Sequence, residues 1–318
     1  MRYYLIVTLT IFTLFSTCLF GDDDMTAKIL DIPSRFQWEN GHGYCGETSV
    51  QSIGLYYGAW LSQDLVRKAG DGEFLLDVND ETVLRKLHFN FETWREKKAE
   101  LQKNKESIYY DDFMVWMKQN IVHGYPVIFS AYLYPGDDVD YDHIMPAIGI
   151  VSKSLDDTGF NKRDRLIFST LFDDRPVVRS FRNLGQTRQS CRTSLDDGGC
   201  IPTEQDQING DAVLGFIDKN HVSLPIRLTV DKKDEANVSK GHQPEILHGR
   251  ITVFGLQPEG MYTLLRYDGY ETVPEDGDYF ISAYSQRMDF KAETDTWIYD
   301  DSFLSNGSVY YRCIKVSD

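Results

Sequence analysis

Part-way along the chain the pattern of side chains changes character. Up to about residue 173, stretches with helical spacing alternate with stretches rich in β-formers; after about residue 222 helix signals almost vanish, and short strands alternate with turns. The chain has 318 residues, more than one hydrophobic core normally organises. Together these predict an α+β domain followed by an all-β domain.

Residues 3–20 carry no charge, follow Arg2 and run directly into Gly21-Asp22-Asp23-Asp24. They read as a secretory signal peptide over residues 1–21. The run also approaches the lower length limit of a single membrane anchor, but the small residues Ser16, Cys18 and Gly21 suit cleavage. No later segment resembles a membrane span, so integral membrane association is not expected, and the chain is destined for the extracellular space or the lysosomal lumen. Asn237-Val238-Ser239 and Asn306-Gly307-Ser308 are glycosylation acceptors that fit this route. The formal net charge of −16, from 49 acidic and 33 basic residues, argues against nucleic acid or an anionic membrane surface as partner.

Cleavage of the signal leaves Cys45, Cys191, Cys200 and Cys313. Cys191 and Cys200 bracket a short polar loop, which predicts a disulfide in an oxidising compartment. Cys45 and Cys313 are left over; they either pair with each other or remain thiols. A thiol kept in a secreted protein usually has a chemical reason.

From Cys45 to Tyr57 apolar residues recur at helical spacing, with Glu47 in the first turn, so a core helix starts at Cys45. Ser62 and Asp80 are suited to cap two further short helices. Phe113 to Ile121 predicts another helix, and Tyr125–Leu133, His143–Val151 and Arg165–Phe172 predict strands. Residues 176–221 are polar and Gly/Asp-rich and read as an irregular excursion pinned by the disulfide. Beyond it, strands are expected at 226–230, 249–253, 262–267, 279–283 and 309–313, the spacing of a β-sandwich.

A thiol at a helix N-terminus is acidified by the helix dipole and by a neighbouring imidazolium. Cys45 has the first if the helix begins where the pattern says, and His143, at the head of its apolar strand, is the candidate for the second. Gly43 and Gly46 leave room for a substrate carbonyl, and the Cys45 N–H is a candidate oxyanion donor. His42 competes with His143 as base, but sits in a flexible Gly-His-Gly loop. No Cys-x-x-Cys or metal-spaced histidine cluster exists, so neither a metal nor another cofactor is expected.

The order of Gln37, Gly43-Tyr44-Cys45-Gly46-Glu47-Thr48-Ser49 and Asp142-His143-Ile144-Met145-Pro146 resembles the papain-like cysteine peptidases, most closely the peptidase C39-like branch. The resemblance covers residues 33–174. It implies a papain-like peptidase domain over 22–175, with Cys45 as nucleophile, His143 as general base and Gln37 as second oxyanion donor. It also implies an Asp that orients the imidazole after the next strand. Asp173 is the best-placed carboxylate and Asp174 the next, whereas a strict strand alignment puts Thr170 there. The implied reaction is hydrolysis of peptide or protein amides through a Cys45 thioester; the alternative is a catalytically inactive secreted binding protein that acts through its sandwich. Residues 251–264 resemble one corner of fibronectin type III domains, so the domain over 222–318 is expected to be such a sandwich, suited to a protein or glycan partner.

Overall fold

The computed structural model describes residues 25–37, 43–103, 109–132, 142–172, 174–193, 199–204, 208–231 and 244–316. The signal-like run, His42, Asp173 and Asn237 lie outside them.

In chain order the elements are β1 (Thr26–Ile29), α1 (Cys45–Tyr56), β2 (Ala59–Leu61), α2 (Gln63–Ala69), α3 (Asp80–Lys86), β3 (Phe89–Thr93), α4 (Trp94–Lys103), α5 (Tyr109–Val122), β4 (Val127–Tyr132), β5 (Asp142–Ser152), β6 (Arg165–Phe168) and β7 (Val177–Ser180). A short α6 (Phe181–Leu184), β8 (Gly185–Gln186), α7 (Arg188–Thr193) and β9 (Ile201–Pro202) lead into β10 (Gly210–Phe216). The remaining strands are β11 (Ile226–Val230), β12 (Ile246–Phe254), β13 (Met261–Tyr267), β14 (Gln286–Lys291), β15 (Thr296–Leu304) and β16 (Ser308–Lys315). The chain is thus a mixed α and β protein. Among the described residues no helix is long and apolar enough to cross a membrane.

A seven-stranded sheet runs β3-β10-β4-β5-β6-β7, with β1 beside the second half of β5. One face carries Phe129, Met145 and Phe168 and packs on Phe113, Met114 and Met117 of α5. The other presents Ile128, Ile144 and Val213 to Val50 and Ile53 of α1. Across α1 lies a four-stranded sheet, β14-β13-β16-β2. Its Leu265, Tyr267, Tyr310 and Ile314 close the same core. Alternation along β13 and β16 sends Tyr262, Leu264, Tyr311 and Cys313 to the opposite face, where they meet Leu228, Ile251 and Phe303 of the three-stranded sheet β11-β12-β15. β16 is therefore buried on both faces, and α1 is enclosed between two sheets.

Several expectations are corrected here. Residues 176–221 are not merely an irregular loop: β7 pairs with β6, and β10 lies inside the large sheet between β3 and β4. β2, from the N-terminal half, is an edge strand of the C-terminal four-stranded sheet. The four-stranded sheet also shares a core with α1, so the division at 175 and 222 is crossed by packing as well as by pairing. Residues Tyr279–Ile281 form a 3₁₀ turn in place of the expected strand, and β6 ends at Phe168. Ser62 does cap α2, accepting the Leu65 N–H at 3.1 Å. Asp80 is instead the first residue of α3, with Asn79 before it. The Cys191–Cys200 disulfide is present, with Cα atoms 5.8 Å apart. Cys45 and Cys313 are both thiols and are not joined to each other.

Candidate active site

Cys45 is the first residue of α1, and its N–H is among those that helix geometry leaves outside the intrahelical ladder. The side chain of Tyr44, the residue before it, does not cap this end. Arg67 of α2 braces the start of the helix. Its Nε donates to Glu47 Oε1 at 2.8 Å, Nη2 donates to the Gly43 carbonyl, and the guanidinium lies 3.5 Å from the centre of the Tyr44 ring. Tyr44 in turn donates to Asp64 Oδ1 at 2.8 Å. Glu47 is buried and also accepts the Phe74 N–H at 3.2 Å. Burial pushes its carboxyl above the ordinary range, opposed by Arg67.

The two flanking glycines have different reasons. Gly43 sits at φ +57°, in the left-handed region, with its missing side chain facing the Gln37 amide nitrogen at 3.9 Å. A Cβ on Gly46 would lie 2.8 Å from the Phe74 carbonyl oxygen. Gly46 is therefore fixed by close packing of α1 on the 74 loop, and does not provide the expected space for substrate.

Gln37 is drawn to the site through its backbone. Its N–H donates to the Leu171 carbonyl at 3.1 Å, and Gln63 Nε2 anchors the preceding carbonyl, that of Phe36, at 2.9 Å. Its own Oε1 is shielded from solvent and has no partner among the described residues. Gln37, Gly43 and the segment after β6 are thus gathered at one place.

His143 is fully buried, near the start of β5. Nε2 lies 2.7 Å from the Thr170 carbonyl oxygen. A carbonyl can only accept, so Nε2 carries the proton and Nδ1 is left as the basic nitrogen. Phe172 stacks on the imidazole, with centroids 4.8 Å apart and planes inclined by 15°, although Phe172 itself is 54% exposed. Leu171, between these two contacts, adopts φ +65° while buried. A bulky residue in that conformation is uncommon. Here it lets consecutive carbonyls serve His143 and Gln37. Burial pulls the His143 pKa down to about 4, with the Thr170 carbonyl opposing. The imidazole is therefore neutral at neutral pH, and the expected imidazolium is not the resting form.

The helix and the His143 strand are tied by Ser49, one turn beyond Cys45. Its hydroxyl lies 2.8 Å from the Cys45 carbonyl and 3.2 Å from that of Ile144, so one O–H is shared between the two. Asp174 accepts from Ser34 Oγ at 3.1 Å. Thr170 reaches the imidazole with its backbone, not its side chain. Sequence reasoning missed Arg67, Phe172 and this carbonyl. The exposed aromatic Phe172, directly before Asp173-Asp174, was the one visible cue.

Cys313 is fully buried, and burial pushes its thiol up to about 12, which leaves it inert. Among the described residues no group of three or more His, Cys, Asp or Glu is gathered to hold a metal. No protein-family model, curated protein or solved structure matches the chain.

Proposed function

We propose that the chain is a papain-like thiol hydrolase of the peptidase C39-like kind, which cleaves peptide amides through a Cys45 thioester. His143 Nδ1 takes the thiol proton as sulfur attacks the carbonyl carbon, then delivers it to the departing amine. Water hydrolyses the thioester by the same proton route in reverse. The Cys45 N–H and the Gln37 amide receive the oxyanion; removing one such donor typically costs about 3 kcal/mol in the barrier. The Thr170 carbonyl holds the ring and its tautomer. It offers a dipole where a carboxylate would offer a charge, so it stabilises the transient imidazolium less. With a neutral resting imidazole, the mechanism is general-base activation of a thiol and does not start from a preformed ion pair.

The observation that carries this reading is the Nε2–Thr170 hydrogen bond, which leaves Nδ1 basic on a strand that Ser49 ties to the Cys45 helix. A secretory route is supported by the Cys191–Cys200 disulfide and by exposed Asn306 in the turn between β15 and β16. That route leads to the extracellular space or the lysosomal lumen. The two C-terminal sheets support a fibronectin type III-like sandwich, as does Tyr262, whose hydroxyl accepts the Gln257 N–H at 2.8 Å across the corner.

The test is iodoacetamide alkylation across the pH range, with the labelled residue located by mass spectrometry in wild type, Cys45→Ser and His143→Ala. The reading expects Cys45 to be the labelled thiol, at a rate that falls at least tenfold in His143→Ala. Equal rates in wild type and His143→Ala would remove the base and with it the mechanism. A second reading, an inactive binding protein of the same fold, is favoured by one observation: a base drawn down to about 4 is a weak one. That outcome would shift attention to protein or glycan partners of the C-terminal sheets.

A further inference from the structure

The Phe36–Gln37 peptide is gripped at both of its polar atoms. Its N–H donates to the Leu171 carbonyl at 3.1 Å, and its carbonyl accepts from Gln63 Nε2 at 2.9 Å. Gln63 spends its second N–H on Gln51 Oε1 at 3.1 Å, and Gln51 Nε2 donates to the Leu61 carbonyl at 2.9 Å. A carbonyl only accepts, so Leu61 fixes which way round the Gln51 amide lies, and that in turn fixes Gln63. Both side chains are fully buried. Gln51 stands on α1, the helix that opens at Cys45.

This chain of amides ends beside Gln37. The Gln37 side chain turns its nitrogen towards Gly43, just before the nucleophile, and its Oε1 has no partner among the described residues. Where that amide stands is therefore governed by its backbone. A planar peptide held by both its N–H and its carbonyl leaves the Gln37 Cα little freedom. One grip leads to α1 through Gln63 and Gln51; the other leads to Leu171, next to the Thr170 carbonyl that holds His143 Nε2 at 2.7 Å. Two buried glutamines that only satisfied one another would serve the fold alone. Here the second N–H of Gln63 is spent on the residue next to a candidate oxyanion donor.

We propose that Gln63 is a positioning residue for the oxyanion hole: through Gln51 it ties the Phe36–Gln37 peptide to the Cys45 helix, and so sets where the Gln37 amide stands relative to the sulfur. The inference rests on the thiol-hydrolase reading. Gln63 itself touches no reacting atom. Its loss frees the carbonyl side of the peptide and lets Gln37 shift, which weakens stabilisation of the oxyanion and leaves the thiol and its base as they were. Misplacing such a group by about 1 Å costs up to about a hundredfold in rate.

The experiment compares two reactions of Cys45 in the full chain. p-Nitrophenyl acetate acylates the thiol: sulfur adds to the carbonyl carbon, the thiol proton passes to His143 Nδ1, and the tetrahedral oxyanion collapses with loss of p-nitrophenolate. Iodoacetamide alkylates the same sulfur by displacing iodide, releases the thiol proton and forms no oxyanion. The ratio of the two rates therefore reads the oxyanion hole and cancels changes in thiol acidity. It should fall about a hundredfold in Gln37→Ala and about tenfold in Gln63→Met, with alkylation of Gln63→Met close to wild type. Where Gln63→Met melts too low, Gln51→Met combined with Gln63→Met leaves neither amide facing a lost partner and should show the same selective loss. A folded variant of either kind with the wild-type ratio overturns the proposal and leaves the hydrolase reading intact, because Gln37→Ala and His143→Ala test that reading separately. Equal loss of both reactions in Gln63→Met would mean that the residue serves the fold alone, which also overturns it. A wild-type ratio in Gln37→Ala removes the oxyanion hole, and the proposal falls with it.

Discussion

Lys118→Met tests how the strands that carry His143 and Thr170 are held. Lys118 reaches from the middle of α5 to Asp164 Oδ2 at 2.8 Å and Ser152 Oγ at 2.9 Å, and both charged groups are essentially without solvent contact. Ser152 ends β5, and Asp164 immediately precedes β6, which delivers Thr170. Methionine conserves the apolar stem, so the substitution isolates the charge and strands a buried carboxylate, a situation that costs about 3–5 kcal/mol. The carboxylate can escape by taking a proton. At pH 7, about three pH units above the usual carboxylate pKa, that route costs about 4 kcal/mol, which bounds the loss from above. At pH 4.5 it costs only about 1 kcal/mol. Denaturant unfolding should therefore show a loss of about 3–4 kcal/mol at pH 7 that shrinks to about 1 kcal/mol at pH 4.5, and Lys118→Met with Asp164→Asn should recover most of it. A loss that is the same at both pH values, or unrelieved in the double variant, would mean that packing and not charge holds this hairpin.

Three further outcomes are expected. Asp211 of β10 is buried beside Asp80, and burial together with that neighbouring charge raises its pKa well above the usual range. Its folded pKa exceeds its unfolded one, so the stability it contributes is present at acid pH and lost as pH rises; Asp211→Asn should melt higher than wild type at pH 8 and lose that advantage near pH 4, and a lower melting point at pH 8 would contradict this. In Phe172→Ala the imidazole of His143 gains solvent, so its NMR titration should move up from about 4 towards the ordinary value near 6.5, and an unmoved midpoint would show that the stacked ring does not shield it. A chain ending after residue 221 removes Leu265, Tyr267, Tyr310 and Ile314 from α1; at about 1.5–3 kcal/mol each, that approaches the whole stability of a domain. Its circular dichroism should show no cooperative unfolding, and a sharp transition would restore the two-domain reading.

What was legible in the sequence was local. The start of α1 at Cys45, the Ser62 cap, the Cys191–Cys200 bridge and β11 each follow from a few adjacent residues whose propensities agree. The misses are non-local. Nothing in residues 210–216 announces that they will lie between β3 and β4, and Ala59–Leu61 is too short to signal a strand until β16 exists to pair with it. β14 and β15 alternate exposed with half-buried residues, Phe303 alone being buried, and place Arg287, Asp289, Lys291, Asp300 and Ser302 outward, which hides them from a search for apolar runs. At the site, Cys45, Gln37 and His143 were visible because chemistry restricts the residue type. The group on His143 Nε2 was not, because a backbone carbonyl is common to every residue and only Leu171's turn aims it. Arg67 was missed because its three contacts lie on residues 43–47, some twenty positions upstream.

The burial of β16 on both faces carries a consequence in time. α1 is synthesised early, but the strand that closes its outer side follows about 250 residues later. At about 5–20 residues per second that is an interval of roughly 10–50 s. Throughout it Val50, Ile53 and the Cys45 thiol sit on a helix with one wall missing, in a chain that cannot yet complete its core. Until β16 has been made, that side of α1 is an uncovered apolar surface, so the order of the strands along the chain sets how long this part of the core stays open.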